Sequence, residues 1–185
     1  MTQRVRETRE TSIALTLHTA APEATSHVAT GDAFLDHMLI TLARYAGWRL
    51  ELSARGDLRH HVIEDVAITL GLALADEMPE SCARYGDALV PMDDALVQAA
   101  LDLGGRAWYQ GRLPSRLYEH FLRSLAHNAV ITLHLRVLRG RDRHHIVEAA
   151  FKALGLALRA ALKPEGSVFS TKGSVRSTRE SGAAT

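Results

Sequence analysis

The sequence predicts an internally duplicated α+β fold. A pattern of histidines and carboxylates occurs twice in register, the text around it repeats, and strand-like and helix-like hydrophobic periods alternate within each copy. The first copy reads Asp36-His37, then His60-His61-Val62-Ile63-Glu64; the second reads Glu119-His120, then His144-His145-Ile146-Val147-Glu148. The gap from the lone histidine to the pair is 23 residues in one copy and 24 in the other. Six of the ten histidines fall in these positions, so the duplication has kept metal-competent side chains in place.

The elements follow in order. Ile13, Leu15 and Leu17 alternate as an early strand, and Ala20 to Ser26, which contains Pro22, reads as a turn. A helix runs from about Phe34 to Ala46, its acid-histidine pair set inside an apolar stripe that Leu117 to Leu122 repeats. Strands follow at Trp48 to Leu52 and at Ile131 to Leu135. The polar turns Arg55-Gly56-Asp57 and Arg139-Gly140-Arg141-Asp142 lead into the two histidine pairs. After each pair comes a helix: Ile63, Val66, Ala67, Leu70 and Leu74 share one face, matched by Val147, Ala150, Phe151, Leu154 and Leu158. Pro79 to Pro91 reads as the connection, dividing the chain into halves 1–88 and 89–185 of one compact unit. Asp94 to Leu103 has helical propensity, yet Leu101-Asp102-Leu103 alternates like a strand. The residues after Lys163-Pro164-Glu165-Gly166 carry no regular period.

Composition narrows the function. A net charge of +1 gives no general electrostatic case for nucleic acid or an anionic membrane. The single Cys82 excludes an intrachain disulfide and a thiolate-rich zinc site and points to a reducing compartment. No apolar run approaches the ~20 residues that span a bilayer, and the first residues lack the apolar core of a signal peptide. The expected location is the cytoplasm.

Adjacent residues on a helix project about 100° apart, so one ion rarely recruits both members of a histidine pair. The natural reading is two ions, with each pair splitting its imidazoles between them. The expected ligands are His37, His60, His61, Glu64, His120, His144, His145 and Glu148. Nitrogen-rich ligation with carboxylates and no sulfur suits Mn, Fe, Co, Ni or Zn. His18, His27, His127 and His134 have no such pattern and read as ordinary surface or strand residues. Near the end, Ser170-Thr171-Lys172-Gly173 combines small hydroxyls, a lysine and a glycine, a composition suited to an anion.

From about Arg6 to Gly173 these residues resemble the imidazoleglycerol-phosphate dehydratase family of histidine biosynthesis. Besides the histidine motifs, the resemblance rests on Thr8-Arg9-Glu10-Thr11, Arg84-Tyr85-Gly86, Pro91-Met92-Asp93, Gly105-Arg106, Phe151-Lys152-Ala153 and Ser170-Thr171-Lys172-Gly173. It implies two four-stranded sheets sandwiching four helices, and two manganese ions per site at subunit boundaries of a homo-oligomeric shell of about 24 chains. It also implies a hydro-lyase that removes water from imidazole glycerol phosphate to give imidazole acetol phosphate. The departing proton sits on a carbon with no neighbouring carbonyl, so divalent ions holding the ring as imidazolate would supply the main stabilisation. By the same resemblance Glu10 is the expected base, with Glu64 and Glu148 next in line. Glu10, Arg84, Arg106, Lys152, Ser170 and Lys172 are the expected substrate contacts.

The chain departs from the family pattern at several points. Arg59 runs directly into His60 where the family has Ile-Asp-Asp, and Pro114-Ser115-Arg116 is a shortened loop. Thr41 stands where Gln is common and Tyr45 where His is common, and Asp32 enters an apolar position. The ligands are all retained while loops and pocket contacts differ. Two alternatives follow: a dehydratase acting on a related azole phosphate, and a non-catalytic shell protein assembled through metal.

Overall fold

A computed structural model describes residues 1–79 and 81–165. Each half runs strand, strand, short strand, helix, strand, helix. The first contains β1 (Thr2–Glu7), β2 (Thr11–His18), β3 (His27–Ala29), α1 (Ala33–Ala46), β4 (Arg49–Gly56) and α2 (Arg59–Glu77). The second contains β5 (Tyr85–Met92), β6 (Ala95–Asp102), β7 (Trp108–Gln110), α3 (Arg116–Asn128), β8 (Thr132–Arg139) and α4 (Arg143–Ala161). The two four-stranded sheets are ordered β1-β2-β4-β3 and β5-β6-β8-β7, with the short strand parallel to its neighbour and all other pairs antiparallel.

Each sheet is apolar on one face only. β2 buries Thr11, Ile13, Leu15 and Leu17 and turns the residues between them outward; β6 does the same with Ala95, Val97, Ala99 and Leu101. The helices cover those faces and form one layer between the sheets. α2 lies on β1, β2 and β4, α4 lies on β5 and β6, and across the middle α1 packs on α4 and α2 on α3. Both halves therefore share a single core. At the crossings the helices come within backbone distance. A Cβ on Gly71 of α2 would stand 2.7 Å from the Leu125 carbonyl oxygen of α3, and one on Gly155 of α4 would stand 2.9 Å from the Leu42 carbonyl oxygen of α1.

The expected duplication and layers are present, with one correction to the connection. Tyr85–Met92 forms β5 and pairs with β6 along its length, so the second sheet begins before residue 89 and the expected boundary falls inside a strand. Pro91, placed at the end of the expected connection, sits in β5, an edge strand, where a residue without an N–H is tolerated. Asp94 to Leu103, ambiguous in sequence, is largely β6. Among the described residues no helix is long and apolar enough to cross a membrane.

Candidate metal centre

The repeated histidines sit near the N-terminal ends of the helices, and side-chain caps fix two of those starts, α1 and α4. Asp32 caps α1: its Oδ1 accepts the backbone N–H groups of Phe34 and Leu35 at 3.0 Å each. Asp142 caps α4 by accepting the N–H of His144 at 2.7 Å. α2 starts at Leu58, which offers no side-chain cap. The acids that precede the lone histidines brace the loops entering their helices. Asp36 accepts from the Thr30 N–H and hydroxyl at 2.9 and 2.6 Å, and Glu119 accepts from the Leu113 N–H at 3.0 Å.

Because helices of opposite halves pack together, each three-residue group draws on both copies. His37 of α1 meets His144 and Glu148 of α4; His120 of α3 meets His60 and Glu64 of α2. In the first group, Glu148 Oε2 lies 3.3 Å from His37 Nε2 and 3.0 Å from His144 Nε2, and the two rings are stacked with centroids 6.1 Å apart. In the second, Glu64 reaches His60 Nε2 at 3.5 Å and His120 Nε2 at 3.3 Å, with ring centroids 5.3 Å apart. All ligand atoms of a group lie within 4.8 Å of one another. His120 Nε2 is buried and makes no hydrogen bond, which is the state of a nitrogen whose partner is an ion. A His-His-Glu set with open positions fits a divalent first-row metal.

The second histidine of each pair points elsewhere. The rings of His60 and His61 are at 76°, and those of His144 and His145 at 86°. His61 Nδ1 contacts Asp57 at 2.8 Å and Glu10 at 3.5 Å. His145 Nδ1 contacts Asp94 at 2.8 Å, and its Nε2 lies 3.4 Å from Asp93. The hydrogen bond to Asp57 raises the His61 pKa, and the bond to Asp94 raises that of His145. Asp94 is driven down to about 2 by His145 and by the N–H groups of Arg141 and Asp142. The expected eight ligands thus form two groups of three, with His61 and His145 standing outside them. Sequence reading missed the supporting acids. Asp57 is four residues before its histidine and could have been found; Asp94 lies in the β5–β6 hairpin, with no local signal linking it to His145.

Glu10 occupies the β1–β2 turn. Its N–H and that of Thr11 are received by the Thr8 hydroxyl at 3.1 and 2.9 Å, and the Thr11 hydroxyl donates to Asp65 on α2. This pins the turn to α2 and holds Glu10 beside His61. Lys152, one turn after Glu148, donates to Glu148 Oε1 at 2.9 Å. Burial pushes the Glu148 pKa up, but hydrogen bonds from Lys152 and His37 outweigh it and leave the group below its ordinary value. Arg84 and Arg106 are far from both groups. The Arg84 N–H bonds to Ala161 at the C-terminal end of α4, about 25 Å along the helix from His144. Its guanidinium forms two bonds to Asp102, at 2.7 and 3.0 Å. The Arg106 carbonyl accepts from Thr132 at the start of β8, the strand end opposite His144. Ser170 and Lys172 lie outside the described residues.

Residues 30–158 match the family described as imidazoleglycerol-phosphate dehydratase. The imidazoleglycerol-phosphate dehydratase of Pyrobaculum calidifontis is 48% identical over 184 residues, covering 91% of this chain and 96% of that protein. The protein of the same name from Chlorobaculum tepidum is 41% identical, covering 95% and 100%. Among solved structures, imidazoleglycerol-phosphate dehydratase from Pyrococcus furiosus in complex with (S)-C348 superposes with a TM-score of 0.83 at 40% identity, covering 93% of this chain and 100% of that one. The Staphylococcus aureus enzyme gives 0.79 at 32% identity, with 88% and 98% covered.

Proposed function

Because the chain belongs to the imidazoleglycerol-phosphate dehydratase family, we propose that it converts imidazole glycerol phosphate to imidazole acetol phosphate in cytoplasmic histidine biosynthesis. The observation that carries this reading is the pair of His-His-Glu groups, each built from both halves of the chain, with Lys152 beside one of them. Two divalent ions per site, manganese by our reading, would be held by these groups. Their chemistry when bound is Lewis-acid stabilisation of negative charge on the imidazole ring.

The chain's own residues supply the rest. Glu10, 56% exposed and 3.5 Å from His61, is free to reach a substrate and take the proton from the carbon next to the one losing its hydroxyl. The C–H electron pair forms the new double bond, the hydroxyl leaves with that proton as water, and the enol so formed tautomerises to the ketone. Glu64 and Glu148 are ligands first and secondary candidates for proton transfer. Lys152, Arg84 and Arg106 offer cationic donors for the phosphate, and Ser170 and Lys172 complete that set in our reading. The separation of Arg84 and Arg106 from the metal groups supports a site shared between subunits. So do His61 and His145, whose rings turn away from their own chain's groups and which would serve ions held mainly by a neighbour. We place these sites in a homo-oligomer of about 24 chains with closed symmetry.

The test is direct. Purified, manganese-loaded protein is incubated with imidazole glycerol phosphate, and the ketone product is assayed. Formation of the ketone is expected; no turnover with metal intact would reject the dehydratase reading in favour of a metal-assembled shell.

A further inference from the structure

We infer that the two metal groups of one chain differ in affinity for a divalent ion and that Lys152 sets them apart. The inference rests on the metal reading proposed above, and it concerns a place where the duplication is broken.

The two groups match in donors. Each has a histidine from the first helix of one half, and a histidine and a glutamate four apart on the second helix of the other. They differ one turn further along. Four residues after Glu148 stands Lys152; four residues after Glu64 stands Ile68. Lys152 is 18% exposed and held from three sides: its Nζ lies 2.9 Å from Glu148 Oε1, 3.5 Å from the Met92 sulfur and 5.7 Å from the centre of the Tyr45 ring. One oxygen of Glu148 is therefore already paired with a cation, and only Oε2 faces His37 and His144. Glu64 gives one oxygen to each of its histidines, and among the described residues no lysine or arginine pairs with it.

An incoming cation thus meets a carboxylate whose charge is offset by an ammonium in one group and an uncompensated carboxylate in the other. Burial makes the offset stronger. The Glu148 side chain is 9% exposed against 36% for Glu64, so the Lys152 charge is less screened by water where it opposes the ion. The His60, Glu64 and His120 group should hold its ion more tightly. The difference should be about tenfold or more, the scale of a charge-assisted hydrogen bond that the ion must weaken.

The experiment uses the manganese-loaded protein, equilibrated against a series of chelator-buffered free manganese concentrations, with bound manganese per chain measured by elemental analysis. Release in two steps of equal size is expected. H37A should remove the weaker step, and H120A the tighter one. K152M should bring the steps together while K152R keeps them apart, and I68K, which places a lysine one turn after Glu64, should weaken the tight step. Release in a single step from the unaltered protein, or unchanged separation in K152M, would overturn the inference. Loss of the tight step in H37A instead of the weaker one would overturn it too. No bound manganese at any concentration would reject this inference and the metal reading together. Two-step release without dehydratase turnover would reject only the proposed activity.

Discussion

Glu10 and His61 are neighbours at 3.5 Å, and in our reading they carry two separable roles, proton transfer and metal ligation. Glu10→Gln keeps size and removes the ability to take a proton. It should leave manganese per chain unchanged and cut turnover about a hundredfold, the scale of a lost general base. Turnover at the normal rate in this variant would assign the proton to another group. His61→Ala, by contrast, should lose metal and activity together, read by elemental analysis beside the same assay. Histidine and glutamate positions were legible because a duplicated motif displays them twice. Their sorting was not legible. Which imidazole of a pair meets the first-helix histidine of the other half depends on how α1 crosses α4 and how α2 crosses α3, and that packing leaves no mark in local spacing.

At the scale of elements, the start of α2 shows how this chain manages its shortened loop. Leu58 gives α2 no cap, and Arg59 adds a positive charge to the helix end where positive charge is disfavoured. Asp32, the cap of α1, pairs with Arg59 and so ties the first turns of the two helices together. Burial pushes the Asp32 pKa up, but the Arg59 hydrogen bond and the Leu35 N–H outweigh it, leaving it below the ordinary carboxylate range. A carboxylate depressed on folding stabilises the fold above its unfolded pKa and loses that contribution as pH falls through the folded value. Metal-free protein should therefore lose stability as pH drops below about 4. Asp32→Asn, which can still accept at the cap, should show a shallower loss there in denaturant melts; parallel curves would mean the ion pair contributes nothing. The helix crossings give a second expectation. Gly71→Ala and Gly155→Ala each force a Cβ against facing backbone and should cost about 1–3 kcal/mol in the same melts. The helices were readable because their apolar periods are long. β1 and β5 were not, because each is an edge strand with weak alternation. The Val5 side of β1 faces outward at 72% exposure, and β5 carries Pro91.

The whole molecule couples metal to assembly in our reading, because each chain presents both a partial site and a spare ligand. His37 and His60 remain 49% and 57% exposed within their groups, so both groups open onto the surface of the chain. His61 and His145 stand outside those groups, each steadied by an acid. A chain cannot turn His61 back onto the ion beside His60, since neighbouring helical positions diverge by about 100°. A neighbouring chain can supply the missing imidazole, and an ion held in that way cross-links two subunits and stabilises their association by its own binding free energy. The ligands must be neutral imidazoles, so protons compete with the ion in the histidine range. Chelator, or mild acid, should therefore convert a particle of about 24 chains with closed symmetry into a smaller species near a trimer, and manganese at neutral pH should rebuild it. Light scattering before chelation, after it and after manganese is restored reads this directly. His145→Ala should give the small species even with manganese present, because it removes one of the two ligands given to neighbours while leaving both His-His-Glu groups intact. A metal-free particle that keeps its full size would show that protein contacts alone hold the chains together, and would take the assembly role away from His61 and His145.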